Sequence, residues 1–326
     1  MDFPRPSKNP GRFNGLRCVV CGNRDRGKFR VRVRRPDFQV VECLDCSFHF
    51  IPSGYRSSVD YTRYKSADVA AEVAKSDPWL KIQRNLLRYR LIGKYRRTGK
   101  IYDIGCGFGH FLLTGRRLGY EVSGAEMSRA NASYVRGTLG IPIDEGDFLE
   151  KKAGMRYDIL TLWDVLEHVE NADRLIEKAS AMAGPGGYLF IQVPALDGFL
   201  ASVLKSRWWA MGPDHANYFS RDTIRRLLDR YGFDVVKTSS SIELKNILVY
   251  VLLPKLRKGR RLPQMTAAVR QREFNRLTPK SPWRRRLLVR VHDAAYTCLS
   301  LLGIGDEMIV VARKRPFRAP GGNDED

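Results

Sequence analysis

Lys100-Ile-Tyr-Asp-Ile-Gly-Cys-Gly-Phe-Gly109 is the stretch that decides how this chain is read. Lys100 to Gly105 is a short apolar run with one acid, Asp103, and reads as a buried strand. Cys106 to Gly109 is a glycine-rich turn, and His110 to Leu118 has helical spacing. Gly105, Gly107 and Gly109 let the backbone approach a ligand at the helix N-terminus, where unpaired N–H groups point outward. Cys106 sits inside this turn and joins the ligand-contacting positions. Like Cys298, it also has the character of a packing residue.

The pattern continues outward as alternating strands and helices. Tyr120 to Ala125 is a second strand ending in Glu126-Met127-Ser128. An acid about 20 positions past a glycine turn can hold both hydroxyls of a ribose. Ile141 to Asp144 is a third strand, followed by Gly146-Asp147-Phe148. Tyr157 to Leu162 is a fourth, followed by Trp163-Asp-Val-Leu-Glu-His168, and Gly186 to Val193 is a fifth. Helices fit between them. The expected fold is therefore α/β, a Rossmann-like doubly wound parallel sheet with its ligand, a nucleoside cofactor, at the carboxyl ends of the strands.

The run D-I-G-C-G-F-G differs from the G-x-G-x-x-G of dinucleotide sites. Taken with G-A-E, G-D-F, L-W-D-V-L-E-H-V and G-P-G-G-Y-L-F-I, it resembles the class I S-adenosylmethionine-dependent methyltransferases. That resemblance implies that Asp103, Gly105 and Gly107 hold the methionine part of S-adenosylmethionine. Glu126 takes the ribose and Met127 lies near the adenine. Asp147 bonds the adenine amino group with Phe148 beside it, and Asp164 ends the fourth strand near the cofactor. It also implies a seven-stranded sheet. Phe233 to Lys237 is then the sixth strand and Asp306 to Arg313 the antiparallel seventh, with residues 239–305 inserted between them. Ser220 is a fair N-cap for a helix over Arg221 to Arg230.

The front of the chain reads differently. Cys18-Val-Val-Cys21 and Cys43-Leu-Asp-Cys46 form two C-x-x-C pairs. Each pair can aim two thiolates at one point, and together they would complete a tetrahedral site for structural Zn2+, the alternatives being a redox dithiol or buried free cysteines. Between them Phe29, Val31 and Val33 alternate with Arg30, Arg32 and Arg34, a strand pattern. A ribbon of this size has almost no core of its own, so the metal is expected to hold it together. The expected organisation is a zinc ribbon over 1–60, a helical linker over 61–99 and a catalytic domain over 100–238 plus 306–315. A basic and apolar insertion covers 239–305, and a disordered tail covers 316–326.

The acceptor side is read from two runs. Asp214-His215-Ala-Asn-Tyr-Phe-Ser220 is similar to the E-H-x-x-Y-F-S stretch of deoxysugar C-methyltransferases, which also carry an N-terminal four-cysteine zinc module. That resemblance makes His215 the candidate general base. Gly212 stands where those enzymes have a tyrosine. Asp164-x-x-Glu167-His168 is similar to a run of the ubiquinone-pathway O-methyltransferases, where it can hold a divalent cation. The same run also occurs in class I enzymes without a metal.

Charge supplies the remaining expectations. The 326 residues carry a formal net charge of +22. Residues 1–60 contribute +6, 61–100 contribute +8, 101–240 contribute −2 and 241–326 contribute +10. A nearly neutral body with basic flanks faces something anionic. The 43% hydrophobic content excludes a wholly disordered chain. The longest apolar run, Ile247 to Leu253, is too short to span a bilayer. No apolar leader is evident in the first twenty residues, so a cytoplasmic location is expected. The insertion places apolar stretches beside Lys255, Arg257, Arg260, Arg261 and Arg284 to Arg286, suiting an anionic membrane surface on its inner face, a lid or a dimer contact. The reading preferred from sequence is methyl transfer to a sugar, a lipid-linked saccharide or a related small molecule. The alternative is ring-nitrogen methylation of RNA, with the ribbon and insertion holding nucleic acid.

Overall fold

The computed structural model describes residues 16–55, 78–151, 154–241, 281 and 305–316. The readings of residues 61–77, of nearly all the insertion, of Cys298 and of the tail from residue 317 lie outside the described residues.

The front segment builds strands β1 (Phe29–Arg34), β2 (Gln39–Cys43) and β3 (His49–Phe50). β1 and β2 pair antiparallel from Phe29 opposite Cys43 to Arg34 opposite Gln39, with a bulge between Val31 and Val33. The arginines alternating along β1 stay exposed, as the period of two requires. Helix α1 (Pro78–Ile92) then leads into β4 (Lys100–Ile104), α2 (His110–Arg117), β5 (Glu121–Glu126), α3 (Arg129–Leu139) and β6 (Ile143–Glu145). β7 (Tyr157–Trp163), α4 (Ala172–Met182) and β8 (Ala183–Pro194) follow. The short α5 (Phe199–Leu204) and β9 (Asn217–Tyr218) precede α6 (Arg221–Arg230), β10 (Phe233–Ser241) and β11 (Glu307–Lys314).

The main sheet has the order β10-β11-β8-β7-β4-β5-β6. β4 pairs parallel with both β5 and β7, and β7 pairs parallel with β8. β11 runs antiparallel to both β8 and β10, so β8 and β10 point the same way. This is the expected seven-stranded α/β sheet. Its edges differ by a few residues from the sequence reading. The fifth strand already begins at Ala183, because Tyr157 pairs with Ala183 before Gly186 is reached. The third begins at Ile143 rather than Ile141, and the last at Glu307.

Helix boundaries follow local chemistry. Ser128 caps α3 by accepting from the Asn131 N–H, and Gly140 closes it in the left-handed conformation. Ser220 and Thr223 form a reciprocal capping box at the start of α6. Strand β8 is buried on both faces from Leu189 onward, as a central parallel strand is.

The ribbon does not stand apart. β3 pairs antiparallel with β9, placing His49 opposite Tyr218 and Phe50 opposite Asn217, so the ribbon sheet has the order β1-β2-β3-β9. Leu16, Val19, Val20, Phe29, Phe48 and Phe50 share one apolar core with Phe219, Ile224 and Leu228 of the larger, main-sheet segment. Phe38, Val40 and Ile51 pack with Trp208, Met211 and Tyr218 in another. The sequence reading expected a ribbon with little core of its own. The apolar faces of β2 and β3 are buried against the larger domain instead. Among the described residues no helix is long and apolar enough to cross a membrane.

Candidate functional site

The carboxyl end of β4 opens directly into the glycine turn. Gly105 and Gly107 have φ of +76° and +56°, the left-handed region that side chains disfavour. The two are needed for different reasons. A Cβ on Gly105 would lie 2.7 Å from the Val165 side chain, whereas a Cβ on Gly107 would meet nothing within 4 Å. Gly105 therefore serves packing, while Gly107 lines an open cradle. Cys106 is buried beneath the turn, and its backbone N–H bonds the Ala125 carbonyl at 3.0 Å.

Glu126 ends β5 beside this turn. Its carboxylate accepts the Gly107 N–H at 2.8 Å and the Ser128 N–H at 2.8 Å. Burial raises its pKa while the backbone N–H bonds lower it, and burial is the larger effect. Met127 is 42% exposed at the rim. Asp147 follows β6 and caps a short 3-10 turn, accepting the Leu149 N–H at 2.9 Å, with Phe148 buried next to it.

Asp103 is 2% exposed and accepts a 2.5 Å hydrogen bond from the Thr161 hydroxyl. Burial pushes its carboxyl up to about 7, although the Thr161 bond and the Arg88 charge oppose the rise. Arg88 reaches this edge from α1. Its guanidinium donates to Gln192 Oε1 at 2.9 Å and to Asp164 Oδ2 at 3.3 Å, and lies 4.3 Å from the Trp163 ring centre. Gln192 in turn donates to Glu307 Oε2 at 2.8 Å. Burial lowers the Arg88 pKa to about 10, which leaves it charged at neutral pH. Asp164 has φ +60°, a strained value for an aspartate and one often found at functional edges.

The candidate base meets the segment that follows β7. His215 is 6% exposed, and its ring centre is 4.7 Å from that of His168 in an edge-to-face arrangement. The His168 Nδ1 lies 2.8 Å from the Asp214 carbonyl. Glu167 is buried below, with its backbone carbonyl accepting the Asn217 N–H at 2.9 Å. Burial, and then the charge of Asp164, raise the Glu167 pKa well above its ordinary value. Ligand atoms of Glu167, His168 and His215 lie within 4.8 Å of one another. The Asp164, Glu167 and His168 run is thus divided in space, because Asp164 turns to Arg88 while Glu167 and His168 meet His215.

Sequence reasoning passed over Arg88, Gln192 and Asn217. Arg88 is one of several arginines in an ordinary helix, and Gln192 is one polar residue in an apolar strand, so neither carried a local signal.

The four cysteines of the ribbon converge. The Cys18 and Cys46 sulfurs are 3.5 Å apart, those of Cys21 and Cys43 are 3.6 Å apart, and all four lie within 4.8 Å of one another. A tetrahedral Zn2+ with bonds of about 2.3 Å sets its sulfurs roughly 3.8 Å apart. The donor set and its spacing fit that ion.

Residues 79–238 match the methyltransferase domain family. A ubiquinone biosynthesis O-methyltransferase of Chelativorans sp. (strain BNC1) is 38% identical over 98 residues, covering 28% of this chain and 39% of that protein. The protein of the same description from Agrobacterium fabrum is 32% identical over 151 residues, covering 42% and 60%. The matched part thus spans less than two thirds of the length of these relatives. A Haemonchus contortus phosphoethanolamine N-methyltransferase, solved in complex with S-adenosyl-L-methionine, superposes with a TM-score of 0.50 at 15% identity, over 80% of this chain and 61% of that one. At that identity the likeness concerns the fold alone.

Proposed function

We propose that this chain, in which residues 79–238 match the methyltransferase domain family, transfers a methyl group from S-adenosylmethionine to a small acceptor beside His215. One observation carries the reading. Asp103, the open cradle at Gly107 and the Glu126 carboxylate lie at the carboxyl ends of the parallel strands β4 and β5, and His168, which meets His215, follows the carboxyl end of their parallel neighbour β7. Ligands bind at that edge in open α/β sheets.

S-adenosylmethionine would supply an electrophilic methyl on a sulfonium. The chain's own residues do the rest. Asp103 and the Gly107 cradle would hold the amino-acid end, with Gly105 shaping the turn between them, and ionised Asp103 would suit its ammonium. Glu126, already oriented by two backbone N–H groups, would take the ribose hydroxyls. Asp147 and Phe148 would flank the adenine, with Met127 at the rim. Arg88 keeps Asp164 oriented through their ion pair. His215 would accept the proton of the acceptor as the nucleophile advances. His168 is tied to the loop of His215 through the Asp214 carbonyl. Glu167 is buried beside the two rings.

We assign structural Zn2+ to Cys18, Cys21, Cys43 and Cys46. The acceptor class we favour is a sugar, a lipid-linked glycan or a related small metabolite. The basic insertion suits the lipid-linked member of that class, because β10 runs parallel to β8 and ends, at Ser241, on the carboxyl edge of the parallel strands.

The test feeds labelled-methyl S-adenosylmethionine and the zinc-loaded protein to an extract of source cells lacking its gene. The label is then partitioned among organic-soluble lipid, small water-soluble compounds and nuclease-sensitive polymer. Label in either of the first two, lost with His215→Asn, supports the reading. Lipid label that falls with Arg257/Arg260/Arg261→Glu assigns the insertion to a membrane surface. Label in nuclease-sensitive polymer overturns the acceptor class.

A further inference from the structure

The peptide that carries His215 is held from two sides, and one of those sides is the zinc ribbon. On the ribbon side, β3 pairs with β9, and the Ile51 N–H donates to the Ala216 carbonyl at 2.8 Å, one residue from His215. Phe38, Val40 and Ile51 form the apolar floor on which Trp208, Met211 and Tyr218 rest. The Tyr218 hydroxyl donates to the Gly212 carbonyl at 3.0 Å and closes the loop between them. On the sheet side, Asn217 does the holding. Its side-chain amide donates to the carbonyls of Leu166 at 3.2 Å and Val169 at 2.7 Å, and its backbone N–H donates to Glu167. Asn217 is 3% exposed and stands opposite Phe50 in the ribbon sheet, so it touches both supports at once.

We infer that the zinc ribbon is a positioning element of the acceptor site, and that Asn217 is the positioning residue through which it sets His215 against His168. The inference rests on the methyl-transfer reading. Its physical basis is the short reach of the linkage. Cys43 ends β2, Cys46 lies three residues before β3, and the Cys43 N–H bonds the Phe48 carbonyl at 2.8 Å across that turn. A metal ion that fixes Cys43 and Cys46 therefore fixes the register of β3, and β3 fixes β9. A two-residue strand such as β9 has little persistence alone. The cofactor edge at β4 and β5 has no such dependence, because its contacts are made within the main sheet. Loss of the metal should loosen His215 and leave the cofactor site intact, as a local opening rather than a global one.

The experiment measures two quantities on the full chain. One is the rate at which diethylpyrocarbonate modifies His215, followed by peptide mass spectrometry with His110 as internal reference. The other is the Kd for S-adenosylhomocysteine. Three perturbations are compared with the zinc-loaded wild type: metal stripping by a chelator, Ile51→Pro, which removes the N–H donated to Ala216 and leaves the cysteines untouched, and Asn217→Ala. The expected result is at least about a tenfold faster modification of His215 in all three, with His110 unchanged and Kd within about twofold. His215 protection that survives complete zinc loss overturns the inference. So does faster modification accompanied by lost cofactor binding, which would make the ribbon a support of the whole fold. Failure of the zinc-loaded wild type to bind S-adenosylhomocysteine is a separate result and removes the methyl-transfer reading itself.

Discussion

Glu126 accepts the backbone N–H of Gly107 at 2.8 Å, across nineteen residues of sequence and from the neighbouring strand. A carboxylate at the end of β5 thereby braces the turn at the end of β4. With the Ser128 N–H it has two fixed donors, so its orientation is set before any ligand arrives. Replacement by glutamine keeps the shape but removes the charge. Glu126→Gln is expected to weaken S-adenosylhomocysteine binding by about 10- to 100-fold, the range for loss of a charge-assisted hydrogen bond. Isothermal titration measures it, and an affinity within twofold of wild type would remove Glu126 from the ribose site.

The two glycines of the turn should separate on substitution. Gly105→Ala drives a methyl into Val165 at 2.7 Å and adds left-handed strain. It is expected to cost about 1–3 kcal/mol of stability, read as a lower urea midpoint. Gly107→Ala has the strain without the clash, and its methyl points into open space. It should weaken cofactor binding more than it lowers the midpoint, and equal effects of the two substitutions would contradict the assignment of the cradle.

The raised pKa of Asp103 gives a pH signature. Burial brings it to about 7, so the cofactor-free protein holds this proton between about pH 4 and pH 7 after the unfolded chain has released it. In that window the contribution of Asp103 to stability falls as pH rises. Cofactor affinity runs the other way, since an ammonium partner favours the carboxylate. S-adenosylhomocysteine should bind about tenfold tighter at pH 8 than at pH 6, as expected for one group ionising near 7. Asp103→Asn should flatten that dependence, and an unchanged slope in the variant would assign it to another group.

His215→Asn is expected to lower turnover by about 10²- to 10⁴-fold, the usual worth of a general base. The cofactor Kd should stay within twofold, because the contacts of Glu126 and Gly107 lie elsewhere. A parallel loss of cofactor binding would mean that His215 supports the fold rather than the proton transfer.

Much of this was legible because it is local. Positive φ at Gly105 and Gly107, the acid at 126 and the serine caps at 128 and 220 are written in short stretches whose chemistry has few solutions. The two C-x-x-C pairs belong to the same kind. What could not be read was long-range. No feature of His49-Phe50 announces that it will pair with Asn217-Tyr218, and both segments are only two residues long. Glu167 and His168 looked like partners of Asp164 because they are close in sequence. A left-handed turn at Asp164 and the buried cation at Arg88 direct that carboxylate elsewhere. His215 joins the other two from a distant loop, whose Asp214 carbonyl meets the His168 ring nitrogen across 46 residues of sequence.

The order of the main sheet has a consequence for synthesis on the ribosome. β11 lies between β10 and β8, so the last described strand fills a slot in the interior of the sheet. Until Glu307–Lys314 emerges from the exit tunnel, β8 and β10 each present an open ladder of N–H and C=O groups, and Val193, Ile191 and Leu189 lack their neighbours Met308, Val310 and Ala312. A nascent chain stalled at that stage carries an exposed, strongly apolar edge, the form most prone to pair with another chain. Chaperone occupancy on translating ribosomes should therefore persist over the whole stretch between β10 and β11 and fall once β11 is out.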